Sequence, residues 1–186
     1  MSKGKILVTG GAGYIGSHTT VELQNAGYEV VIVDNLANSN ADMIDGIERI
    51  TGTRPAFYQV DCNDKVAMKD VFENNKGIKG IIHFAASKAV GESVQKPIMY
   101  YRNNLDSLMT LMELMPEYGV EGIVFSSSCT VYGQPDILPV DETAPIKPAL
   151  SPYGNTKQIT EEIIRDAIYS GVPYKAIILR YFNPIG

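Results

Sequence analysis

A short apolar run that ends in glycines spaced three apart, with a helical pattern starting at once, leaves a chain few architectures to adopt. Lys3-Gly4-Lys5-Ile6-Leu7-Val8 reads as a strand, and Gly10, Gly13 and Gly16 follow it at the spacing G-x-x-G-x-x-G. In such a strand–turn–helix unit one glycine allows the tight turn. Another lets backbone approach a pyrophosphate, and the third lets the helix sit close on the strand. The helix N-terminus then offers unpaired N–H groups and the positive end of its dipole to an anion. The glycine loop, with Gly10, Gly13, Tyr14, Ile15 and Gly16, is therefore a candidate cradle for a dinucleotide. Glycine-rich turns are common, so the weight of this reading rests on what surrounds the loop.

The surroundings alternate short apolar runs with longer helical segments, the pattern of a parallel sheet covered by helices. Strands are expected at Val30–Val33, Ala56–Val60, Gly80–Phe84, Gly122–Phe125 and Ala176–Leu179. Helices are expected at Tyr14–Ala26, Ala41–Ile50, Asp64–Asn75, Pro97–Tyr118 and from about Ser151 to Ser170. Gly27 is a natural helix C-cap. Ile15, Thr19 and Leu23 should face inward on the first helix, and Leu105, Leu108, Met109, Met112 and Met115 on the long one. Ile159, Ile163 and Ile164 should do so on the last helix. The fold class is α/β, a Rossmann-type doubly wound parallel sheet of about six strands with helices on both faces. At 186 residues the chain is long enough for one such domain. A net charge of −5 without a basic stretch argues against nucleic acid as a partner. The longest apolar runs are about five residues, too short to cross a membrane. The strand and glycine loop at the start read against a signal peptide, so none is expected, and a cytoplasmic location is expected. Cys62 and Cys129 lack metal-ligand spacing and read as free thiols; no metal site is expected.

Several polar residues fall where an open α/β sheet puts its ligands, at strand C-terminal ends. Asp34 closes the second strand 18 residues after Gly16, near the offset at which a carboxylate meets the adenosine ribose. A carboxylate there would repel a 2′-phosphate and so favour NAD over NADP; the simpler alternative is a cap on the following segment. Asp61 is poised either for an adenine or for a turn. Ala85 and Ala86 are small enough for a flat cofactor to lie against backbone. His83 belongs to the strand and reads as a satisfied buried histidine. One of Asn103 and Asn104, inside a helix packed on the sheet, should brace a site. Five of the ten prolines lie between Pro135 and Pro152, which makes 134–150 an irregular loop.

Tyr153 and Lys157 are four apart near a helix start and so share one face. A tyrosine pKa near 10 makes a poor base at neutral pH, and bringing it to about 7 needs roughly 4 kcal/mol of phenolate stabilisation. A nearby ammonium and a cationic nicotinamide ring are of that order. Ser128, at the end of a strand, is the candidate third member, with a hydroxyl able to hold a substrate oxygen while Tyr153 moves its proton. Ser126 and Ser127 read as strand-end caps.

Thr9 through Gly16, Ser128 with Tyr153 and Lys157, and Arg180-Tyr181-Phe182-Asn183-Pro184 resemble the extended short-chain dehydrogenase/reductase superfamily. Lys88 through Ser93, Ser126 through Gly133 and Arg180 through Gly186 narrow the resemblance to its UDP-glucose 4-epimerases, over the whole length of the chain. The resemblance implies reversible oxidation at C4 of a UDP-hexose, with tightly bound NAD accepting and returning hydride, as in galactose metabolism. Tyr153 would take the O4 proton, Ser128 would hold O4, and Lys157 would bond the nicotinamide ribose. By the same carry-over Asp34 and Asn35 hold the adenosine ribose, and Asp61 and Cys62 flank the adenine. Phe84, Ala85, Ala86, Lys88, Asn103, Tyr153, Lys157 and Tyr181 line the cofactor, while Lys88, Ser128, Tyr153, Phe182 and Asn183 touch the sugar nucleotide. Ala86-Ser87 stands where the family commonly has Gly-Leu, a small change.

The related 4,6-dehydratases carry an Asp-Glu pair where this chain has Cys129 and Thr130, which disfavours dehydration. Other nucleotide-sugar epimerases, or a NAD-binding module without turnover, are the remaining alternatives. The family's C-terminal substrate-binding portion is expected to be absent, so residues 1–186 read as the NAD-binding unit, poorly active by itself. A homodimer is expected.

Overall fold

A computed structural model describes residues 2–185, so Gly186, last of the terminal motif, lies outside the described residues. Six strands form one parallel sheet in the order β3-β2-β1-β4-β5-β6. They are β1 (Lys5–Thr9), β2 (Glu29–Val33), β3 (Ala56–Tyr58), β4 (Ile78–His83), β5 (Gly122–Ser128) and β6 (Lys175–Tyr181). The helices are α1 (Tyr14–Asn25), α2 (Asp42–Thr51), α3 (Lys65–Asn74), α4 (Val90–Gln95), α5 (Pro97–Glu117) and α6 (Pro152–Tyr169). The order reverses between β1 and β4, which opens a crevice at the strand C-termini, the switch point where doubly wound sheets hold ligands.

Alternation along the strands divides the core in two. Leu7, Val31, Ile81, Ile123 and Phe125 point to the face covered by α3, α5 and α6. Val8, Val30 and Ile32 point to the other, against Ile44 and Ile47 of α2 and Val21 and Leu23 of α1. The second face is covered only over β1–β3. Across β4–β6 it lacks a helix among the described residues, and Ile177 and Leu179 are 57% and 41% exposed.

The local signals work as the residues dictate. Asp64 caps α3 by accepting from the amides of Val66 and Ala67. Gly27 sits one position past the cap residue Ala26, at φ +91°, and Tyr28 N–H reaches back to Leu23 O. Other expectations give way to tertiary contacts. On α1 the buried residues are Gly16, Ser17 and Thr20, while Ile15, Thr19 and Leu23 are half-buried. That helix must press its glycine side on the loop. On α5 Leu108, Leu111, Met112, Leu114 and Met115 are buried, but Met109 is exposed and Leu105 half-buried. Edge strand β3 ends at Tyr58 rather than Val60. β5 and β6 run longer than their apolar runs, because Ser126, Ser127 and Ser128 pair with Leu179, Arg180 and Tyr181. The ladder overrides serine's weak strand preference. Helix α4 and a 3-10 turn at Cys129–Tyr132 were not foreseen; both are too short for a hydrophobic period to register.

Candidate active site

The glycine loop is built as its sequence requires. Gly10 has φ +69°, and a Cβ on it would lie 2.7 Å from the Ala85 amide nitrogen. A Cβ on Gly16 would lie 2.2 Å from Gly10 O, so α1 could not dock with any larger residue. Gly11, which spacing did not single out, is closed by Ile32 in the same way, at 2.8 Å. Gly13 is the N-cap of α1 and provides no side-chain cap. The amides of Tyr14, Ile15 and Gly16 therefore find no acceptor among the described residues. Unpaired first-turn amides above a loop that backbone can approach suit a phosphate. The donor set fits the pyrophosphate of a dinucleotide.

Asp34, buried at the end of β2, serves the loop directly. Its Oδ2 accepts the Ala12 amide at 3.1 Å, and its Oδ1 accepts Leu36 N–H and the Ser39 hydroxyl at 2.9 and 2.8 Å. The capping role and a ribose-facing role are compatible, because Oδ2 keeps a free acceptor position. Asn35 donates to Asp61 at 3.2 Å, and Asp61 also accepts the Asn63 amide and side chain. These groups gather at the ends of β2 and β3 as expected. Cys62 is a free thiol, 5% exposed within the main core, where burial, then Asp61 and Asp34, push it up to about 12. Only its backbone is left to face a ligand.

The next group lies after β4. Phe84 and Tyr181 meet edge-to-face with centroids 6.2 Å apart. Ala85 lies against Gly10, and Ala86 is half-buried beside it. Of the two asparagines, Asn104 is the brace. It is 4% exposed, accepts Ser87 N–H at 2.8 Å, and donates to Ser87 O and to Thr156 Oγ1 on α6. Asn103 donates to Ser87 Oγ and accepts from Asn63, bridging the ends of β3 and β4. Lys88, Phe182 and Asn183 are exposed and make no hydrogen bond to the serine–tyrosine–lysine group among the described residues. His83 is buried against Thr9 Oγ1 (2.7 Å) and Ser107 Oγ, and burial, then the charge of Lys157, lowers it to about 3. It is neutral and structural, as its strand position implied.

Ser128, Tyr153 and Lys157 come together where α6 starts above the end of β5. Pro152 opens the helix and Ser151 caps it by accepting Gly154 N–H. Lys157 is 4% exposed; its ammonium donates to Ser126 O at 2.7 Å and lies 4.7 Å from the Phe125 ring centre and 5.9 Å from that of Tyr153. Burial lowers it to about 8. Burial raises the Tyr153 phenol above its ordinary value, and the Ser128 hydroxyl works against that rise. Ser128 also accepts the Thr130 amide at 3.2 Å. Ser126 and Ser127 are not the strand-end caps expected, because the β5–β6 ladder runs through them: one holds Lys157 through its carbonyl, the other donates to Glu161 at 2.6 Å. Thr156 and Glu161 were missed as site residues. Polar groups on helix faces that pack on a sheet were the available signal.

A glycine-loop cradle at the switch point, with a Ser–Tyr–Lys group across the same crevice, defines the class of doubly wound nucleotide-binding folds. Residues 6–186 match the NAD dependent epimerase/dehydratase family, and the chain belongs to it. It is 52% identical over 181 residues to UDP-glucose 4-epimerase of Bacillus subtilis, covering 97% of this chain and 53% of that protein. The UDP-glucose 4-epimerase of Mus musculus is 47% identical over 188 residues, covering 98% of this chain and 54% of the relative. Among solved structures, UDP-glucose 4-epimerase from Bifidobacterium longum in complex with NAD+ and UDP superposes with a TM-score of 0.95 at 47% identity. The enzyme from Stenotrophomonas maltophila with bound NAD and formylated UDP-arabinopyranose gives 0.94, also at 47% identity. Each comparison covers 98% of this chain and 54% of the other. The chain thus spans about half the length of these relatives.

Proposed function

We propose that the protein interconverts UDP-glucose and UDP-galactose by transient oxidation at C4, and that residues 1–186 are its NAD-binding unit with the catalytic trio. The observation that carries this reading is one stripe of α6, Tyr153 and Lys157, gripping the serine-ended β5 across the crevice from the glycine loop. NAD, when bound, would supply the reversible two-electron acceptor. The first-turn amides of α1, with Gly10, Gly13 and Gly16, would hold its pyrophosphate. Asp34 and Asn35 would hold its ribose, Asp61 and Cys62 would flank its adenine, and Phe84, Ala85, Ala86, Lys88, Asn103 and Tyr181 would line its path.

In the reaction Tyr153 takes the proton from O4 as the sugar is oxidised and returns it as the sugar is reduced. Ser128 holds O4, and Lys88, Phe182 and Asn183 contact the sugar nucleotide. The phenol, raised by burial in the cofactor-free protein, has to fall well below its ordinary value to serve as a base at neutral pH. The Lys157 ammonium and a second positive charge in the enclosed site would bring it down. Cys129 and Thr130 supply neither the acid nor the base that elimination of water requires, which favours epimerisation over dehydration. The relatives' remaining length would complete the sugar-nucleotide cleft, so slow turnover is expected of residues 1–186 alone.

Conversion of UDP-galactose by the full-length protein tests this, with Tyr153→Phe as the critical variant. Turnover is expected to fall by roughly a thousandfold, the range of a general acid–base group, with NAD content unchanged. Undiminished turnover in the variant would overturn the assignment. We also propose a cytoplasmic homodimer, supported by exposed apolar residues such as Ile98 on α5 and Val94 on α4. A full-length protein that sediments as a monomer would contradict the dimer.

A further inference from the structure

The stripe of α6 that carries Tyr153 and Lys157 continues, one turn later, into a residue the proposed reaction does not use. Glu161 is fully buried, and each of its carboxylate oxygens has two donors. Oε1 accepts the Ser127 hydroxyl at 2.6 Å and Arg180 Nε at 3.0 Å. Oε2 accepts Arg180 Nη2 at 2.8 Å and Arg165 Nη2 at 2.6 Å. The remaining arm of Arg180 donates to Tyr132 Oη at 3.0 Å, with the guanidinium 4.8 Å from that ring centre. Burial raises the Glu161 carboxyl, but the bonds from Arg180 and Ser127 and the charges of Arg180 and Arg165 outweigh it and hold the group ionised. A buried ion pair is weak evidence of stability, since well-packed apolar residues of the same volume serve as well or better. What the pair fixes is relative position.

It joins four elements, and all four bear on the site. Ser127 immediately precedes Ser128. Tyr132 closes the turn that follows Ser128. Glu161 lies one turn from Lys157 and two from Tyr153, and Arg180 immediately precedes Tyr181 and Phe182. Consecutive turns of α6 thus hold consecutive residues of β5: Lys157 on the Ser126 carbonyl, Glu161 on the Ser127 hydroxyl. A slip of α6 along β5 would break both bonds and separate Tyr153 from Ser128. The charge balance matters equally. With Arg180 bound to it in bidentate fashion, Glu161 is not a counter-ion for Lys157, whose hydrogen bond among the described residues goes to a neutral carbonyl.

We propose that Glu161 and Arg180 are positioning residues for the Ser128–Tyr153–Lys157 group, holding α6 in register on β5 and leaving the Lys157 charge uncompensated so that it acts on Tyr153. This rests on the catalytic reading of Tyr153 given above. The groups facing the stripe are few. Tyr153 meets Lys157 from its own helix, Ser128 and Cys129 from β5 and the turn after it, and Tyr100 of α5, which is itself bonded to Glu92 of α4. Lys157 meets Phe125 and the Ser126 carbonyl from β5 and feels His83 of β4, which is neutral. Glu161 meets Arg165, Arg180 and Ser127, with Asp141 and Glu142 of the 134–150 loop along the same cleft of about 630 Å3.

The test is a spectrophotometric titration of the Tyr153 phenol in NAD-loaded full-length protein, read as the difference from Tyr153→Phe. Turnover is measured beside it. Arg180→Met removes one of the two cations on Glu161, leaving its carboxylate with Arg165 alone about 12 Å along the helix from Tyr153, and is expected to raise the phenol by about half a unit. Glu161→Gln keeps the acceptor for Ser127 but removes the charge, and is expected to lower it by about as much. Arg180→Lys should restore part of the wild-type value. In all but the wild type kcat falls more than KM rises. A purely structural pair would lower thermal stability in both variants without opposite shifts; that result overturns the proposal, as do two unshifted phenols. If wild-type protein titrates Tyr153 normally yet fails to convert UDP-sugars, the catalytic reading fails while the phenol shifts still decide the role of the pair.

Discussion

An ammonium enclosed by protein and bonded to a neutral carbonyl opposes folding, and Lys157 is such a group among the described residues. Its pKa is lowered to about 8 by burial, against about 10.4 in an unfolded chain. Below pH 8 both states are protonated and the whole desolvation penalty stands, roughly 3 kcal/mol. Between pH 8 and about 10.4 the unfolded chain holds the extra proton, so stability rises with pH through that window and the penalty disappears above it. Lys157→Met removes the penalty and forfeits one hydrogen bond of about 1 kcal/mol. In cofactor-free protein at pH 7 the variant should melt about 5 °C higher, with the gain vanishing near pH 10. An equal or lower melting temperature at pH 7 would contradict this account of the site as strained in favour of function. The trio was legible in the sequence because Tyr153 and Lys157 are one helical turn apart and Ser128 ends a strand. Glu161 and Arg180 were not legible as a pair. They lie 19 residues apart and meet only because β6 returns beside β5 under α6.

Among the elements, α6 shows where periodicity stops being informative. Its isoleucines suggested an apolar inner face, yet of Ile159, Ile163 and Ile164 only Ile164 is fully buried. The buried face is Gly154, Thr156, Lys157, Thr160, Glu161 and Ile164, polar over its first two turns and apolar only lower down. A helix that must present Tyr153 and Lys157 to a crevice at its N-terminus gives up hydrophobic contact there. It replaces that contact with bonds to Asn104, Ser126 and Ser127. The same trade explains β5. Three serines in a row resemble the end of a strand, but pairing with β6 carries the ladder through them and fixes Ser128 opposite Tyr181. Asn104 was expected as one of two candidate braces. Sequence could not choose between it and Asn103, because the choice depends on which of two adjacent helix positions faces the Ser87 loop.

At the scale of the whole molecule, the alternation of apolar runs with helical segments sufficed for the sheet and its class. The strand order follows from right-handed crossovers running outward in both directions from β1. Those crossovers also leave β4–β6 covered on one face only, with Ile177 and Leu179 in the open, a consequence of topology that no local pattern announces. The glycine loop and Asp34 carry the claim on which everything else depends, that this unit binds NAD. Calorimetric titration of the 186-residue chain with NAD+ and NADP+ measures it without appeal to turnover. One NAD+ per chain is predicted, with NADP+ weaker by roughly tenfold or more, since a 2′-phosphate would meet the Asp34 carboxylate. Absence of NAD+ binding, or equal affinity for the two nucleotides, would contradict the account.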